Sequence, residues 1–178
     1  MEITPDTKVA QFDWSTWVPA QRATLLFVIR DGRILLIHKK RGLGAGKING
    51  PGGRIEPGET PRQAAVREIR EELLTTPLDV HKSGELSFLF LDGLSLHVHV
   101  FRAGGLSDPP AETDEAVPVW APLEGIPFHR MWEDDVFWFP HLLTGTPFRG
   151  RFLFDRDRLL DREVTAPAGP DELSPAKT

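Results

Sequence analysis

Glu68, Glu71 and Glu72 are the residues of this sequence most able to do chemistry together. At 3.6 residues per turn they fall within an arc of about 100° on one helix. Like charges three and four residues apart repel, by a few tenths of a kcal/mol per pair. Glu59 adds a fourth carboxylate just before them, and Arg67 can pair with Glu71 one turn on. Two chemistries fit such an arc. One is a solvated acidic face, the ordinary meaning of a charge run. The other is a site for a hard divalent cation, Mg2+ or Mn2+, which take oxygen ligands near octahedral geometry. The helix alone leaves both open.

The helix that must hold these carboxylates is well signalled. Thr60 is placed as its N-cap, Pro61 at its first position, and Gln63 where a capping box needs Glu or Gln. Ala65, Val66, Ile69 and Leu73 form an apolar face at helical spacing, and Pro77 lies beyond the end. The helix is therefore expected over Thr60 to Leu74.

Around it the chain reads mostly as strands. Ala23–Arg30 and Arg33–Lys39 flank Asp31-Gly32, a dipeptide suited to a two-residue type I′ turn. Leu86–Leu91, Leu96–Phe101, Val117–Ala121, Phe148–Phe154 and Leu159–Val164 follow as strands. Residues 134–143 read as a second, short helix containing Pro140. This order points to an α/β (α+β) sandwich rather than a doubly wound parallel sheet. Three segments are expected: an N-terminal arm at 1–22, one domain at 23–164, and a Pro-, Ala- and Gly-rich disordered tail at 165–178. Trp14 and Trp17 are costly to leave in water, so the arm should pack on the domain.

The bulk composition narrows the function. The chain has 178 residues, 40% hydrophobic and 26% charged, with a net charge of −5 and no cysteine. Thiolate catalysis, disulfides and cysteine-bound metals are excluded. An acidic chain lacks the basic footprint of non-specific nucleic-acid binding, so no nucleic acid is expected as a partner. No apolar run approaches a membrane span, and the first residues carry acids instead of a signal peptide's apolar core, so a cytoplasmic location is expected.

The spacing around the helix goes further. Gly53, five residues, Glu59, seven residues, then Arg67-Glu68-Ile69-Arg70-Glu71-Glu72 resembles the Nudix box, Gly-x5-Glu-x7-Arg-Glu-U-x-Glu-Glu-x-Gly-U, with U aliphatic. Leu74 and Thr75 replace the final Gly and aliphatic residue, which alters the helix exit without removing a ligand. The resemblance implies a Nudix-type α/β/α sandwich with a mixed sheet and a catalytic loop-helix-loop. It implies hydrolysis of a nucleoside diphosphate linked to another group, with Mg2+ or Mn2+ between helix carboxylates and phosphate oxygens and water attacking phosphorus. Carried onto this chain, Glu68, Glu71 and Glu72 would be ligands or base, and the Gly53 carbonyl a ligand. Arg67 would orient the carboxylates, Glu59 would support the helix, and Glu115 is a further candidate ligand.

A wider resemblance covers residues 23–164. Lys39-Lys40-Arg41-Gly42, Gly44-Ala45-Gly46, Asn49-Gly50, Gly52-Gly53, Thr113-Asp114-Glu115, Ile126-Pro127-Phe128 and Met131-Trp132 through Pro140 are similar to MutT homologues that hydrolyse oxidised purine nucleoside triphosphates. That similarity implies conversion of 8-oxo-dGTP or 2-hydroxy-dATP to monophosphate and pyrophosphate, a sanitisation of the nucleotide pool. The base would be read by Asn49, Trp132, Asp134 and Asp135. An amide both donates and accepts, an indole stacks, and adjacent buried acids can share a proton. Each has a plainer reading as turn, core or helix cap. Lys39, Thr24, Phe88 and Leu96 complete the candidate substrate site, Lys39 with Lys40, Arg41 and Lys47 as a locally basic approach for a polyphosphate. Leu43, Ile48, Pro51 and Leu96 depart from the related enzymes.

Two features are set aside. Gly42-x-Gly44-x-Gly46-Lys47 lacks the spacing and the Ser or Thr of a phosphate loop. His97 and His99 share a strand face without an obvious third ligand and read as structural. The expected partner is then a small-molecule nucleotide, with no membrane; the sequence is compatible with a monomer and does not fix the oligomeric state. The alternatives are a Nudix hydrolase of another substrate (another modified purine nucleotide, ADP-ribose, a dinucleoside polyphosphate or a 5′-triphosphate RNA end) or a non-catalytic nucleotide-binding module.

Overall fold

A computed structural model describes residues 2–167. The elements run β1 (Gln21–Arg30), β2 (Arg33–Lys39), β3 (Ile48–Asn49), β4 (Gly52–Arg54), α1 (Pro61–Leu73), β5 (Pro77–Leu78), β6 (His81–Phe90) and β7 (Ser95–Ala103). β8 (Gly105–Leu106), β9 (Ala116–Pro122), α2 (Asp135–Thr144), β10 (Phe148–Asp155) and β11 (Arg158–Thr165) complete the chain. The main sheet runs β11-β10-β6-β7-β1-β2-β3, with β4 also on β1 and β9 also on β2. It is mixed: β1 pairs parallel with β7 and antiparallel with β2 and β4, while β6 pairs parallel with β10.

β1 shows how the layers form. Side chains alternate across a strand. Phe27 and Ile29 join one core with Trp138, Phe139 and Leu142 of α2. Leu26 and Val28 join a second core with Ala65, Ile69 and Leu73 of α1. The two helices thus cover opposite faces, the α/β/α sandwich expected. Asp31 (φ 53°) and Gly32 (φ 71°) are both left-handed, as a type I′ turn requires.

α1 begins where its cap predicts: Thr60 Oγ1 accepts from Gln63 N, and the Gln63 side chain accepts from Thr60 N. It ends at Leu73. Leu74, standing where the box has glycine, takes the left-handed cap itself, with φ 55° and ψ 36°. β6 starts at His81, five residues before the apolar run that signals it, because its first half pairs with the β7 backbone although its own residues, His81 to Glu85, form no apolar pattern. The two- and three-residue strands β3, β4, β5 and β8 carry no periodicity, and sequence reading misses them.

A third apolar cluster joins Val9 to Leu89 and Leu153, with Ile3, Phe12, Trp14 and Trp17 packed against it. Val9 N donates to Asp161 Oδ2 (2.7 Å) and Trp14 Nε1 to the Val9 carbonyl (2.9 Å). Residues 168–178, most of the expected tail, lie outside the described residues.

Candidate active site

β4 and α1 bring the box together. The Gly53 residue pairs with Thr24 of β1, and a Cβ on Gly53 would overlap the Glu68 carboxylate, so backbone and carboxylate meet there. A Cβ on Gly52 would strike the Thr24 carbonyl, so only glycine permits this approach. Glu72, 3% exposed, accepts from Gly52 N at 2.9 Å. Arg67 ties the acids down: Nε to Glu59 Oε1 (2.5 Å), Nη1 to Glu68 (2.8 Å) and to Glu71 (3.1 Å), and Nη2 to the Arg54 carbonyl (3.0 Å). Arg67 therefore links Glu59, Glu68 and Glu71 in one cluster, and the Arg67–Glu71 pair read from the spacing forms.

The electrostatics point to a cation. Burial pushes the Glu72 carboxyl up to about 8, against the Gly52 hydrogen bond and with the Glu68 charge adding to it. Burial also raises Glu68, although Arg67 opposes it. Glu59, hydrogen-bonded by Arg67, is held low. Carboxylates crowded and desolvated like this are a donor set that fits a divalent cation, whose charge removes the mutual repulsion. Lys39 lies close enough to Glu72, Glu68 and Glu115 for their charges to support its own, while burial lowers it.

On the other side of β1 a cavity of about 160 Å³ opens. Every expected substrate residue lines it: Thr24, Lys39, Asn49, Phe88, Leu96, Trp132, Asp134 and Asp135. Gly52 and Gly53 line it too, so the cavity runs up to the carboxylate cluster. Asn49 is fixed from both ends. Its amide donates to the Gly44 and Lys47 carbonyls (3.3 and 3.2 Å), and its Oδ1 accepts from Trp132 Nε1 (3.1 Å). Trp132 meets Phe90 and Phe154 edge-on. Asp134 does not cap α2. Its Oδ2 accepts from Trp138 Nε1 at 2.9 Å in the core. Burial raises Asp134 to about 6, and burial with the Asp134 charge raises Asp135 well above the usual range. The two carboxyls therefore differ in their hold on a proton, and a pair sharing one proton offers an acceptor and a donor side by side.

The basic approach is smaller than the sequence suggests. Lys40 pairs with Glu112 (2.7 Å) and Arg41 with Glu115 (2.6 Å), acids more than seventy residues away. Lys39 remains facing the cavity. Glu115, joined to Arg41, is near enough to the cluster to raise Glu68 and Glu72. Sequence reading missed Trp138 as the anchor of Asp134, although its place one turn along α2 is a usable signal. It also missed Glu85, a third group beside His97 and His99. Among the described residues no helix is long and apolar enough to cross a membrane.

A glutamate-rich helix fastened by arginine beside a base-sized cavity, on an α/β/α sandwich, is the arrangement that the box resemblance implies for a divalent-cation hydrolase of nucleotides. The Nudix domain model matches residues 19–142. The chain is 48% identical to the oxidized purine nucleoside triphosphate hydrolase of Danio rerio over 132 residues, which is 74% of this chain and 85% of that protein. It is 43% identical to the enzyme of the same name from Mus musculus over 146 residues, 79% of this chain and 94% of the other. A MutT protein crystal structure from Bacillus halodurans shares the fold, with a TM-score of 0.73 at 24% identity, over 81% of this chain and 97% of that one. The chain belongs to the Nudix family and is a Nudix hydrolase.

Proposed function

We propose that this enzyme hydrolyses oxidised purine nucleoside triphosphates, 8-oxo-dGTP and 2-hydroxy-dATP, to the monophosphate and pyrophosphate, with Mg2+ or Mn2+. The observation that carries this reading is the buried Asp134–Asp135 pair, with unequal proton affinities, in one cavity with Asn49 and Trp132. The similarity to the oxidized purine nucleoside triphosphate hydrolases of Danio rerio and Mus musculus supports it.

The oxidised base enters the cavity with its edge on Asn49 and the aspartates, and its face on Trp132. Guanine oxidised at C8 and adenine hydroxylated at C2 present different donor and acceptor patterns. One proton shared by two acids can match either. Thr24, Phe88 and Leu96 wall the cavity, and Lys39 meets phosphate charge where the cavity reaches Gly53. Glu68, Glu71, Glu72 and the Gly53 carbonyl would hold the cation, with Glu115 alongside. Arg67 and Glu59 keep Glu68 and Glu71 aimed. A cation held there would supply neutralisation of phosphate charge and a lowered pKa for the attacking water. A carboxylate of this cluster that is left off the cation would be placed to take that water's proton. The cytoplasm, which holds a free nucleotide pool, is the compartment we assign.

A pyrophosphate-release screen tests this. It sets 8-oxo-dGTP, 2-hydroxy-dATP, dGTP and dATP against ADP-ribose and a diadenosine polyphosphate, with Mg2+ and with chelator. A Mg2+-dependent preference for the oxidised purines is expected. Preference for ADP-ribose or the diadenosine compound overturns the substrate reading.

A further inference from the structure

Residues 111–115 lie between the carboxylate helix and the loop at the mouth of the base cavity, and they are tied to both. Ala111 N donates to the Leu73 carbonyl at the end of α1 (2.8 Å). Thr113 Oγ1 donates to the Glu72 carbonyl (2.8 Å) and accepts from Glu115 N (3.2 Å). On the other side Lys40 N donates to the Glu115 carbonyl (3.0 Å), and Lys40 Nζ to Glu112 Oε1 and to the Thr113 carbonyl (2.7 Å each). The backbone of Glu115 is therefore held at both its N–H and its carbonyl.

Its carboxylate is held less firmly. Arg41 Nη2 donates to Glu115 Oε1 at 2.6 Å, but the pair is open to water, with 65% of the Arg41 side chain and 37% of the Glu115 side chain exposed. The same carboxylate acts in the opposite direction. Beyond the burial that raises Glu68 and Glu72, the Glu115 charge raises both further. Glu115 thus stands between a guanidinium on one side and, on the other, the crowded acids that call for a cation.

Arg41 begins the loop of residues 41–47. Gly46 N donates to the Lys39 carbonyl (2.8 Å) and Lys39 N to the Lys47 carbonyl (3.1 Å), which closes the loop at its base. Leu43, half-exposed at its crest, lines the base cavity. The far limb is fastened by Asn49, whose amide donates to the Gly44 and Lys47 carbonyls. The near limb is fastened by Arg41 to a candidate cation ligand. A divalent cation entering the carboxylate cluster attracts Glu115 and repels Arg41, so both interactions favour an exchange of partners. An ion pair this exposed is weak and offers little resistance.

We propose that Arg41 and the cation compete for the Glu115 carboxylate, so that loading the cation unfastens the near limb of the loop that carries Leu43. Arg41 is a positioning residue in this scheme, acting only through Glu115. The inference rests on the reading of Glu68, Glu71 and Glu72 as cation ligands. It ties movement of the loop over the base to the presence of the ion that the phosphates need.

Calorimetric titration of the full chain with Mn2+, without nucleotide, tests the competition. Arg41 is exposed, so Arg41→Gln leaves the core intact. It should bind Mn2+ about two- to fivefold more tightly than wild type, the range that loss of an exposed pair permits. In a Glu115→Gln background the gain should vanish, because no charge is left to contest. A general change of field at the cluster would persist there. Hydrogen exchange across residues 42–47 is the second readout. Mn2+ should speed it in wild type, and Arg41→Gln should exchange faster without Mn2+ and respond to it less. Equal Mn2+ affinity in wild type and Arg41→Gln, a gain that survives Glu115→Gln, or loop exchange that Mn2+ leaves unchanged overturns the proposal. Glu68→Gln keeps the two failures apart. Mn2+ binding that it weakens upholds the cation site even where Arg41→Gln binds as wild type does. Mn2+ binding that it leaves untouched, or no binding by wild type, overturns the site and this inference together.

Discussion

Replacing Glu72 with Gln should stabilise the metal-free enzyme, and by an amount that grows with pH. Glu72 is buried, and its carboxyl sits at about 8 against an ordinary 4.5. The folded state therefore holds a proton that the unfolded chain has released between these values. The unfolded state binds fewer protons, so stability falls as pH rises from about 4.5 and levels off above about 8. At roughly 1.4 kcal/mol per unit the loss approaches about 3 kcal/mol at pH 7. Gln retains an oxygen for Gly52 N–H but cannot ionise, so Glu72→Gln escapes the loss. Any fixed cost of its amide nitrogen shifts the curve without changing its slope. Thermal unfolding in chelator at pH 5, 6, 7 and 8 is the assay. At about 2–4 °C per kcal/mol, the gap between variant and wild type should widen by several degrees from pH 5 to pH 7. Adding Mn2+ should raise the wild type far more than the variant. A gap independent of pH would refute the account of Glu72 as a desolvated acid that a cation discharges.

Other outcomes follow from single contacts. Leu74→Gly should stabilise by about 1 kcal/mol in urea unfolding, since an exposed Leu is held in a left-handed conformation that glycine adopts freely. Gly52→Ala should prevent stable folding, measured by loss of near-ultraviolet circular dichroism, because the methyl meets the Thr24 carbonyl and neither backbone can retreat. Asp134→Asn should lower kcat/KM for 8-oxo-dGTP at least tenfold while keeping the chemistry of the carboxylate helix. It should also move the acidic limb of the pH–rate profile, which for wild type is expected near 6. Unchanged selectivity in this variant would send Asp134 back to a role in packing alone.

What the sequence revealed divides by range. The capping box, the arc of Glu68, Glu71 and Glu72, and the Asp31-Gly32 turn are encoded within a few residues, and local spacing reads them. Asn49 and Trp132 stand more than eighty residues apart, so only a resemblance put them in one pocket, and nothing local in the sequence encodes the hydrogen bond between them. Glu85 was invisible for the same reason: it reaches His99 only through the register of β6 on β7. Lys40 and Arg41 looked free because Glu112 and Glu115, which neutralise them, are equally remote. Asp134 sits where a helix cap belongs, and only the packed Trp138 shows that its carboxylate turns inward.

β1 also sets a timetable. Its hairpin with β2 is local, and such hairpins close in microseconds. Its parallel union with β7 brings Gln21 to Leu96, and β6 waits for β10, from Gly84 to Phe148. Distant pairings of this kind slow folding. A chain leaving the ribosome can wind α1, carboxylates included, long before Trp138 and Phe154 arrive to wall the base cavity. α2 and β10 supply no candidate cation ligand, yet their arrival fixes the moment at which the growing chain first becomes a selective enzyme.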